Sequence, residues 1–350
     1  MRNANELAES MKDAMPFSVC ICYLLSIILL SGCASHSTKH PAWLINPQIN
    51  YPETEYLVAI GEGDTRRAAE NNAAASLARI FESRIHAEDT LSERTTEERG
   101  NINRLDQRSE LQTKVQIESE QELLNIQFGE NYTDTHGRIH VAATIPRAET
   151  AAIYRERIGE NEKHLLLLIS LSDTASDPIA RYAFRRTAVR KALENDRLIA
   201  QLDIIHPGAR TRLKLGYDPQ TLYSETASAA QKITFAVNLT GAGGDALRET
   251  LTGMGFSEKD NAPSLAFSGD VTFEETDLKR GALVFVRYRY QLETRTQNQQ
   301  LVMALNNSRR EGHISFKEAA ARAKRSLRRE LQTEVSRELG DYFDRLASAE

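Results

Sequence analysis

The sequence predicts an α+β protein in which two small modules, each an antiparallel sheet with a packed helix, are joined by a long αα-hairpin. Segments of alternating apolar and polar residues occur before residue 146 and again after residue 231, and each set has a helical segment beside it. Asp177 and Pro178 separate two further long helical segments, which predicts the hairpin. The predicted boundaries are a signal peptide at 1–32, a tether at 33–42, a first module at 43–146, the hairpin and a linker at 147–230, and a second module at 231–350.

The N-terminal apolar segment is a signal peptide rather than a membrane-spanning helix. It runs from Phe17 to Leu30 without a charge, which is shorter than the ~20 residues that span a bilayer. An apolar segment of this kind that ends in small residues, here Ser31 and Gly32, is typical of a cleaved signal. Met1 and Met11 both remain possible starts, because the residues before the apolar segment are net acidic whereas Lys12 lies just before it.

The residues Leu30-Ser31-Gly32-Cys33 resemble the lipobox of bacterial lipoproteins. The resemblance implies cleavage before Cys33 and attachment of lipid, including palmitate, to this residue. The alternative is an ordinary signal that ends at a chance cysteine. Since two or more acyl chains anchor a protein stably, the expected anchor is lipid. By similarity, Ala34 in place of Asp after the acylated residue favours the outer membrane, at its periplasmic face.

The composition argues against nucleic acid as a partner and against disulfide bonds. The 44 basic and 49 acidic side chains give a formal net charge of −5, which argues against nucleic acid as a partner. Cys20 and Cys22 lie in the predicted signal, so Cys33 is the single cysteine of the mature chain and disulfides are not expected. Folding must therefore rest on packing. We also predict no cofactor and no metal.

The first module is predicted to contain a strand at Tyr56–Ile60, a helix at 65–85 with Asp64 as N-cap, and a β-hairpin at 125–145. The helix has apolar residues at helical spacing on one face, namely Ala69, Ala73, Leu77, Ile80 and Phe81. Residues 88–121 are charged and rich in Gln. Their alternation at Val115 and Ile117 indicates an extended segment, with a helix as the alternative.

Two helices and a polar linker follow. Pro146 is compatible with the first turn of a helix from Arg147 to Ser170. Asp177 is the expected N-cap of the next helix, with Pro178 at its first position and its end near Ile205. Residues 222–232 are predicted to form a polar link. Two helices of this length with a short connection form a stiff rod.

The second module is predicted to contain strands around residues 233–239, 265–273, 284–292 and 301–305, each with alternating apolar residues. A short helix that ends near Gly253 follows the first strand. A closing helix begins at Ser315 and Glu318, which form a capping box. The expected arrangement is an antiparallel sheet covered on one face by helices.

Several segments of the first half resemble the LPP-twenty lipoproteins, to which flagellum-associated outer-membrane lipoproteins are similar. These segments are Pro41-Ala42-Trp43, the block "YLVAIGEGDTRRAAENNAAASLARIFESRI" and the passage "YTDTHGRIHVAATIPRAE". The resemblance covers residues 41–175 and implies a small α/β domain attached to the cell envelope. The second module departs from the plainer members of that family.

Three motifs resemble chemical sites and also have structural explanations. Gly61 and Gly63 follow a strand, but Arg66 stands where a dinucleotide fingerprint needs its third Gly. Here a tight turn with positive φ is favoured over a nucleotide site. "GAGGD" at 241–245 lacks the ending of a phosphate loop and is interpreted as a flexible turn. His136 and His140 lack a third metal ligand and are interpreted as solvated.

The segment "VRYRYQ" combines aromatic and basic residues. Tyr288 and Tyr290 are expected in the core, whereas Arg287 and Arg289 are expected to project outward, as an ordinary strand face or as a partner-binding face. The glutamates of "ARAKRSLRRELQTE" have basic neighbours at helical spacing and are predicted to be solvated. Since no nucleophile elbow or zinc-protease helix occurs, no catalytic residue is predicted.

These observations predict a non-enzymatic outer-membrane lipoprotein with a structural or assembly role in the bacterial cell envelope. Its predicted partners are the outer membrane, through lipid on Cys33, and envelope proteins of a flagellar or peptidoglycan-linked assembly. The alternative is an envelope protein that binds or hydrolyses a ligand in a cleft between the two modules.

Overall fold

The computed structural model describes residues 40–96 and 123–348, and for residues 86–96 it describes only the helical backbone. The predicted signal peptide, Cys33 and most of the tether lie outside these residues. The alternation at Val115 and Ile117 also lies outside them. Within the described ranges, no helix combines the length and the apolar character needed to cross a membrane.

The first module is a three-stranded antiparallel sheet with one long helix packed on it. After a short helix α1 (Ala42–Ile45) come β1 (Tyr56–Gly63), α2 (Arg66–Thr96), β2 (Gln127–Thr133) and β3 (Ile139–Pro146). The strand order is β1-β3-β2, so the predicted hairpin is confirmed as β2 and β3. Apolar residues of α2 pack against the sheet in one cluster with Leu57, Ala143 and Ile145.

Helix α2 differs from its predicted bounds at both ends. Its N-terminal turn is capped by Thr65, whose hydroxyl accepts a hydrogen bond from the Ala68 N–H at 3.2 Å, instead of by Asp64. At the other end the helix continues to Thr96, so an extended conformation was wrong for residues 88–96. The predicted buried face is confirmed: Ala69, Ala73, Leu77 and Phe81 are buried, and Ile80 is partly buried against the same cluster.

The αα-hairpin consists of α3 (Arg147–Thr174) and α4 (Pro178–Ile205). Asp177 caps α4 as predicted, because its carboxylate accepts a hydrogen bond from the Ile179 N–H at 3.1 Å. A short α5 (Ala209–Arg212) and α6 (Pro219–Ala230) follow. The predicted polar link is helical over α6, where Asp218 caps the helix through Thr221 and Leu222 lies on a buried face.

The second module is a five-stranded mixed sheet with order β5-β4-β6-β7-β8. Its elements are β4 (Thr234–Thr240), α7 (Gly244–Gly253), β5 (Ser257–Glu258), β6 (Leu265–Arg280), β7 (Leu283–Thr296), β8 (Leu301–His313) and α8 (Phe316–Ser348). Strands β6, β7 and β8 are antiparallel as predicted, but β4 pairs in parallel with β5 and β6. The prediction of a purely antiparallel sheet was wrong. Helix α7 returns the chain to the end of the sheet at which β4 begins, so β6 runs in the same direction as β4.

Helix α4 belongs to the cores of both modules. Near its start, Ile179, Tyr182 and Ala183 join the apolar cluster of the second module. Near its end, Ile199, Leu202 and Ile205 join the cluster of the first module. The middle of α4 packs against α3 in a third cluster that includes Leu165, Leu168 and Ala188. Helix α4 of the αα-hairpin is therefore shared by the two hydrophobic cores.

Candidate functional site

The segment next to the predicted tether is folded against the edge strand β2. Trp43 is 5% exposed, and the ring of His40 meets that of Tyr132 with centroids 5.6 Å apart. Tyr51 lies over Gly129, where a Cβ would meet the Tyr51 hydroxyl, and its ring contacts Tyr56 at 5.8 Å. The chain therefore enters the first module along β2.

Gly61 and Gly63 allow helix α2 to pack closely on β1. Both lie within β1, and neither has a positive φ, so the predicted tight turn was wrong. A Cβ at Gly63 would lie 2.7 Å from the Ala69 nitrogen, and one at Gly61 would overlap the Ala73 nitrogen. These glycines allow the backbone of α2 to approach β1 directly, which is a known use of glycine.

The two histidines of the β2–β3 hairpin do not converge on one metal. The Nε2 atom of His140 lies 3.2 Å from Oδ2 of Asp134, while Oδ1 of Asp134 accepts hydrogen bonds from the backbone N–H groups of His136 and Arg138. These bonds, with that from Arg138 first, lower the pKa of Asp134. Across the described part of the chain, no group of three or more His, Cys, Asp or Glu side chains is placed to hold a metal.

The glycine-rich turn at 241–245 connects β4 to α7. Gly241 and Gly243 have φ of 93° and 100°, and a Cβ at Gly241 would overlap the Val271 carbonyl. The turn is therefore fixed by close packing, in contrast to the flexible turn that was predicted. Asp245 occupies the first turn of α7.

A buried polar cluster in the second module was missed by the sequence analysis. Glu330 on α8 is 9% exposed and accepts hydrogen bonds from the hydroxyls of Tyr288 at 2.7 Å and Tyr290 at 3.1 Å. Asn307 also donates to it, and Arg309 lies 3.4 Å away. Burial, followed by the Glu330 contacts, raises the pKa of both tyrosines.

Glu330 corrects the prediction that all glutamates of this helix are solvated. Its position beside Leu327 and Leu331, on the buried stripe of α8, was the available sequence signal. The carboxylate has four polar neighbours on two strands, so the cluster fixes α8 against the sheet. We interpret the cluster as a structural network, because every one of these contacts joins α8 to the sheet of the same module.

The outward face of β7 carries the predicted arginines. Tyr288 and Tyr290 are buried as predicted, and Arg289 is exposed. Arg287 lies opposite Arg310 on β8 and opposite Glu274 on β6, and Glu274 also lies 3.6 Å from Arg289. Like charges opposite each other on adjacent strands are destabilising. Among the described residues, neither Arg287 nor Arg310 forms an ion pair, so this face can accept an acidic group.

Comparisons with known proteins yield little similarity. No protein-family model matches the sequence, and no curated protein matches it. One similar solved structure is the crystal structure of the secreted protein HP1454 from the human pathogen Helicobacter pylori. It is 11% identical with a TM-score of 0.37, and the match covers 79% of this chain and 97% of that chain. At this level the similarity supports no inference about fold or function.

Proposed function

We propose that this chain is a non-enzymatic outer-membrane lipoprotein, acylated at Cys33, that acts as a structural or assembly component of the bacterial cell envelope. The lipid anchor is supported by the resemblance of residues 30–33 to a lipobox, and the structural role is supported by the membership of α4 in both hydrophobic cores. A helix shared in this way holds the second module at a fixed distance from the first. An anchored protein with such a spacer can present a surface at a defined place in the envelope.

The anchor and the spacer set the geometry of this role. Six residues separate Cys33 from His40, so the first module lies within about 25 Å of the lipid even when the tether is extended. Ile179 and Ile205 on α4 are about 40 Å apart along the helix axis. Anchoring raises the effective concentration of the second module for any partner fixed nearby.

The proposed partner surface of the second module is the outward face of β7 and β8. Its exposed Arg289, with Arg287 and Arg310, which form no ion pair with any residue that the structure describes, would complement an acidic protein surface. By resemblance to the LPP-twenty lipoproteins, a flagellar or peptidoglycan-linked assembly is the proposed source of that partner.

The alternative role, ligand binding or hydrolysis between the modules, requires an open cleft. At the second module, the rings of Tyr182 on α4, Phe256 and Phe343 make edge-to-face contacts at 5.1–6.1 Å. At the first module, Leu202 and Ile205 are fully buried. These packed junctions favour the tethering role.

The lipid anchor is tested by labelling bacteria that produce the chain with radioactive palmitate. The unaltered chain is expected to incorporate label and to fractionate with the outer membrane, whereas Cys33→Ser is expected to lose both properties. Ser31→Ala is the matched control, since it keeps a small residue before the cysteine. A Cys33→Ser chain that remains labelled contradicts the proposal.

The partner is tested by crosslinking in cells through a photoreactive residue at position 289, followed by mass spectrometry. Recovery of an envelope protein, lost in the double variant Arg287→Glu/Arg310→Glu, is the expected result. The same crosslinker at position 318, on the exposed start of α8, is the control. Recovery of only this chain or of small molecules would favour the ligand-binding alternative.

A further inference from the structure

Two large aliphatic side chains are exposed in the first turns after the predicted tether. Ile45 is 78% exposed and Ile49 is 60% exposed, although Trp43 beside them is buried. We propose that Ile45 and Ile49 insert into the interfacial region of the bilayer that holds the Cys33 lipid. This inference rests on the lipoprotein function proposed above, and it adds a second, peptide contact with the membrane.

The segment around these isoleucines is suited to contact with lipid because it carries no charged side chain. Residues 40–52, "HPAWLINPQINYP", contain no Asp, Glu, Lys or Arg, although such residues make up 27% of the whole chain. A charged side chain near the hydrocarbon region carries a large desolvation penalty. This segment can approach lipid without that penalty.

The backbone of the segment is also prepared for an apolar environment. The N–H groups of Leu44, Asn46, Ile49 and Tyr51 donate to backbone carbonyls three or four residues earlier, at 2.9–3.2 Å. The Gln48 N–H donates to the side chain of Asn46. Because unpaired backbone groups are costly in lipid, these closed turns lower the cost of insertion.

The isoleucines are held in place by the rest of the module. Burial of Trp43 fixes the turn that carries Ile45, and the contact between Tyr51 and Tyr56 fixes the chain after Ile49. The His40 contact with Tyr132 fixes the point where the tether ends. The segment therefore loses little conformational freedom when it meets the membrane.

Because the tether is short, even a weak affinity of the two isoleucines for lipid is sufficient to keep them inserted in the bilayer. Six residues separate Cys33 from His40, so a lipidated chain keeps Ile45 and Ile49 close to the bilayer at all times. Two isoleucines give little affinity for membranes from free solution, but the tether converts their insertion into an intramolecular step. The proposal thus predicts insertion in the lipidated chain and no vesicle binding by a chain that begins at Cys33 and carries no lipid.

The test uses one environment-sensitive fluorophore at a time on the lipidated full chain. The mature sequence has no other free thiol once Cys33 is acylated, so Ile45→Cys, Ile49→Cys and Ile314→Cys can each be labelled at one site. Ile314 is the matched control because it is the same residue type, is 71% exposed and belongs to the second module. The vesicles contain phosphatidylethanolamine and phosphatidylglycerol, with or without a nitroxide-labelled lipid.

The nitroxide lipid is expected to quench the probes at positions 45 and 49 at least about twofold more than the probe at 314, with a blue shift at the first two sites. Anchored protein whose three probes are quenched alike overturns the insertion alone. Unmodified Cys33 by mass spectrometry overturns the lipoprotein function and the insertion with it. Shielding of positions 45 and 49 without vesicles also overturns the insertion, because it assigns the surface to another copy or to residues 34–39.

Discussion

The two ends of α4 are held in different ways. At the first module, Ile199, Leu202 and Ile205 pack among apolar side chains, and Arg147 donates to the carbonyls of Ile204 and Ile205 at 3.1 and 2.7 Å. At the second module, the aromatic contacts of Tyr182 are joined by charged groups. The first junction therefore depends on buried area, and the second also depends on paired charges.

The charged groups of the second junction are arginines on successive turns of α4. Arg186 and Arg190 both reach Asp344 on α8, at 2.6 and 2.7 Å. Arg185 bridges Asp173 on α3 and Glu225 on α6, at 2.6 and 2.5 Å. These bridges add directional contacts between α4 and its neighbours α3, α6 and α8 to the apolar packing.

The largest expected effect is at the apolar junction. Leu202→Ala should lower the free energy of unfolding by about 2–5 kcal/mol, because it leaves a cavity at a side chain with no exposed surface. Urea titration followed by Trp43 fluorescence and by circular dichroism measures the effect. Leu167→Ala, at a 56% exposed position on α3, is the control.

The two signals in that titration also test how the modules are coupled. Trp43 reports on the first module, whereas circular dichroism reports on the whole chain. If α4 joins the cores, both transitions should move together. A shift of the Trp43 transition alone would show that the modules unfold separately and would contradict the role of α4 as a helix shared by both cores.

The next effect concerns the charged junction. Asp344→Asn should lower the free energy of unfolding by about 2–3 kcal/mol, because it leaves two largely buried guanidinium groups without their common carboxylate. Asp341→Asn is the control, because its side chain is 44% exposed and lies 3.8 Å from the exposed Arg337 on the same helix. Equal urea midpoints for the two variants would mean that the bridges to Asp344 contribute no stability.

The smallest expected effect is a dependence on alkaline pH at the second junction. Burial, followed by the charge of Asp177, raises the pKa of Tyr342 above its usual value near 10. Above pH 10 the unfolded chain loses this proton while the folded chain keeps it, so stability is full below pH 10 and falls as the pH rises.

The variant Tyr342→Phe should therefore reduce that loss by up to about 1 kcal/mol. Urea midpoints at pH 8 and pH 10.5 measure it, and the value at pH 8 serves as the reference for any packing change. An identical loss of stability in the variant would mean that Tyr342 does not titrate differently in the folded chain.

The predictable parts of the fold are those that the chain encodes locally. Asp177-Pro178 correctly predicted α4, and the alternation of apolar and polar residues correctly predicted β7, which lies between β6 and β8 in the second sheet. The parallel direction of β4 was missed because alternation is the same for both strand directions. Helix α6 was missed because its buried face is small and partly polar, with Thr226, Ala229 and Ala230 beside Leu222.

The candidate surfaces were predictable to different degrees. The outward position of Arg289 follows from its place between two core tyrosines. Opposition of Arg287 and Arg310 depends on the register between β7 and β8, which no local pattern determines. Burial of Glu330 depends on tyrosine hydroxyls about 40 residues earlier in the chain, so it required the folded structure.

The glycine contact between β1 and α2 extends its influence beyond the first module. With no side chain between Gly63 and Ala69, strand and helix move as one piece, and Leu77 and Phe81 on that helix belong to the same cluster as Leu202 of α4. A methyl group at position 61 or 63 would tilt the helix away from the strand. Because α4 packs on this helix and reaches the second module about 40 Å away, a small tilt would give a larger displacement of the second module.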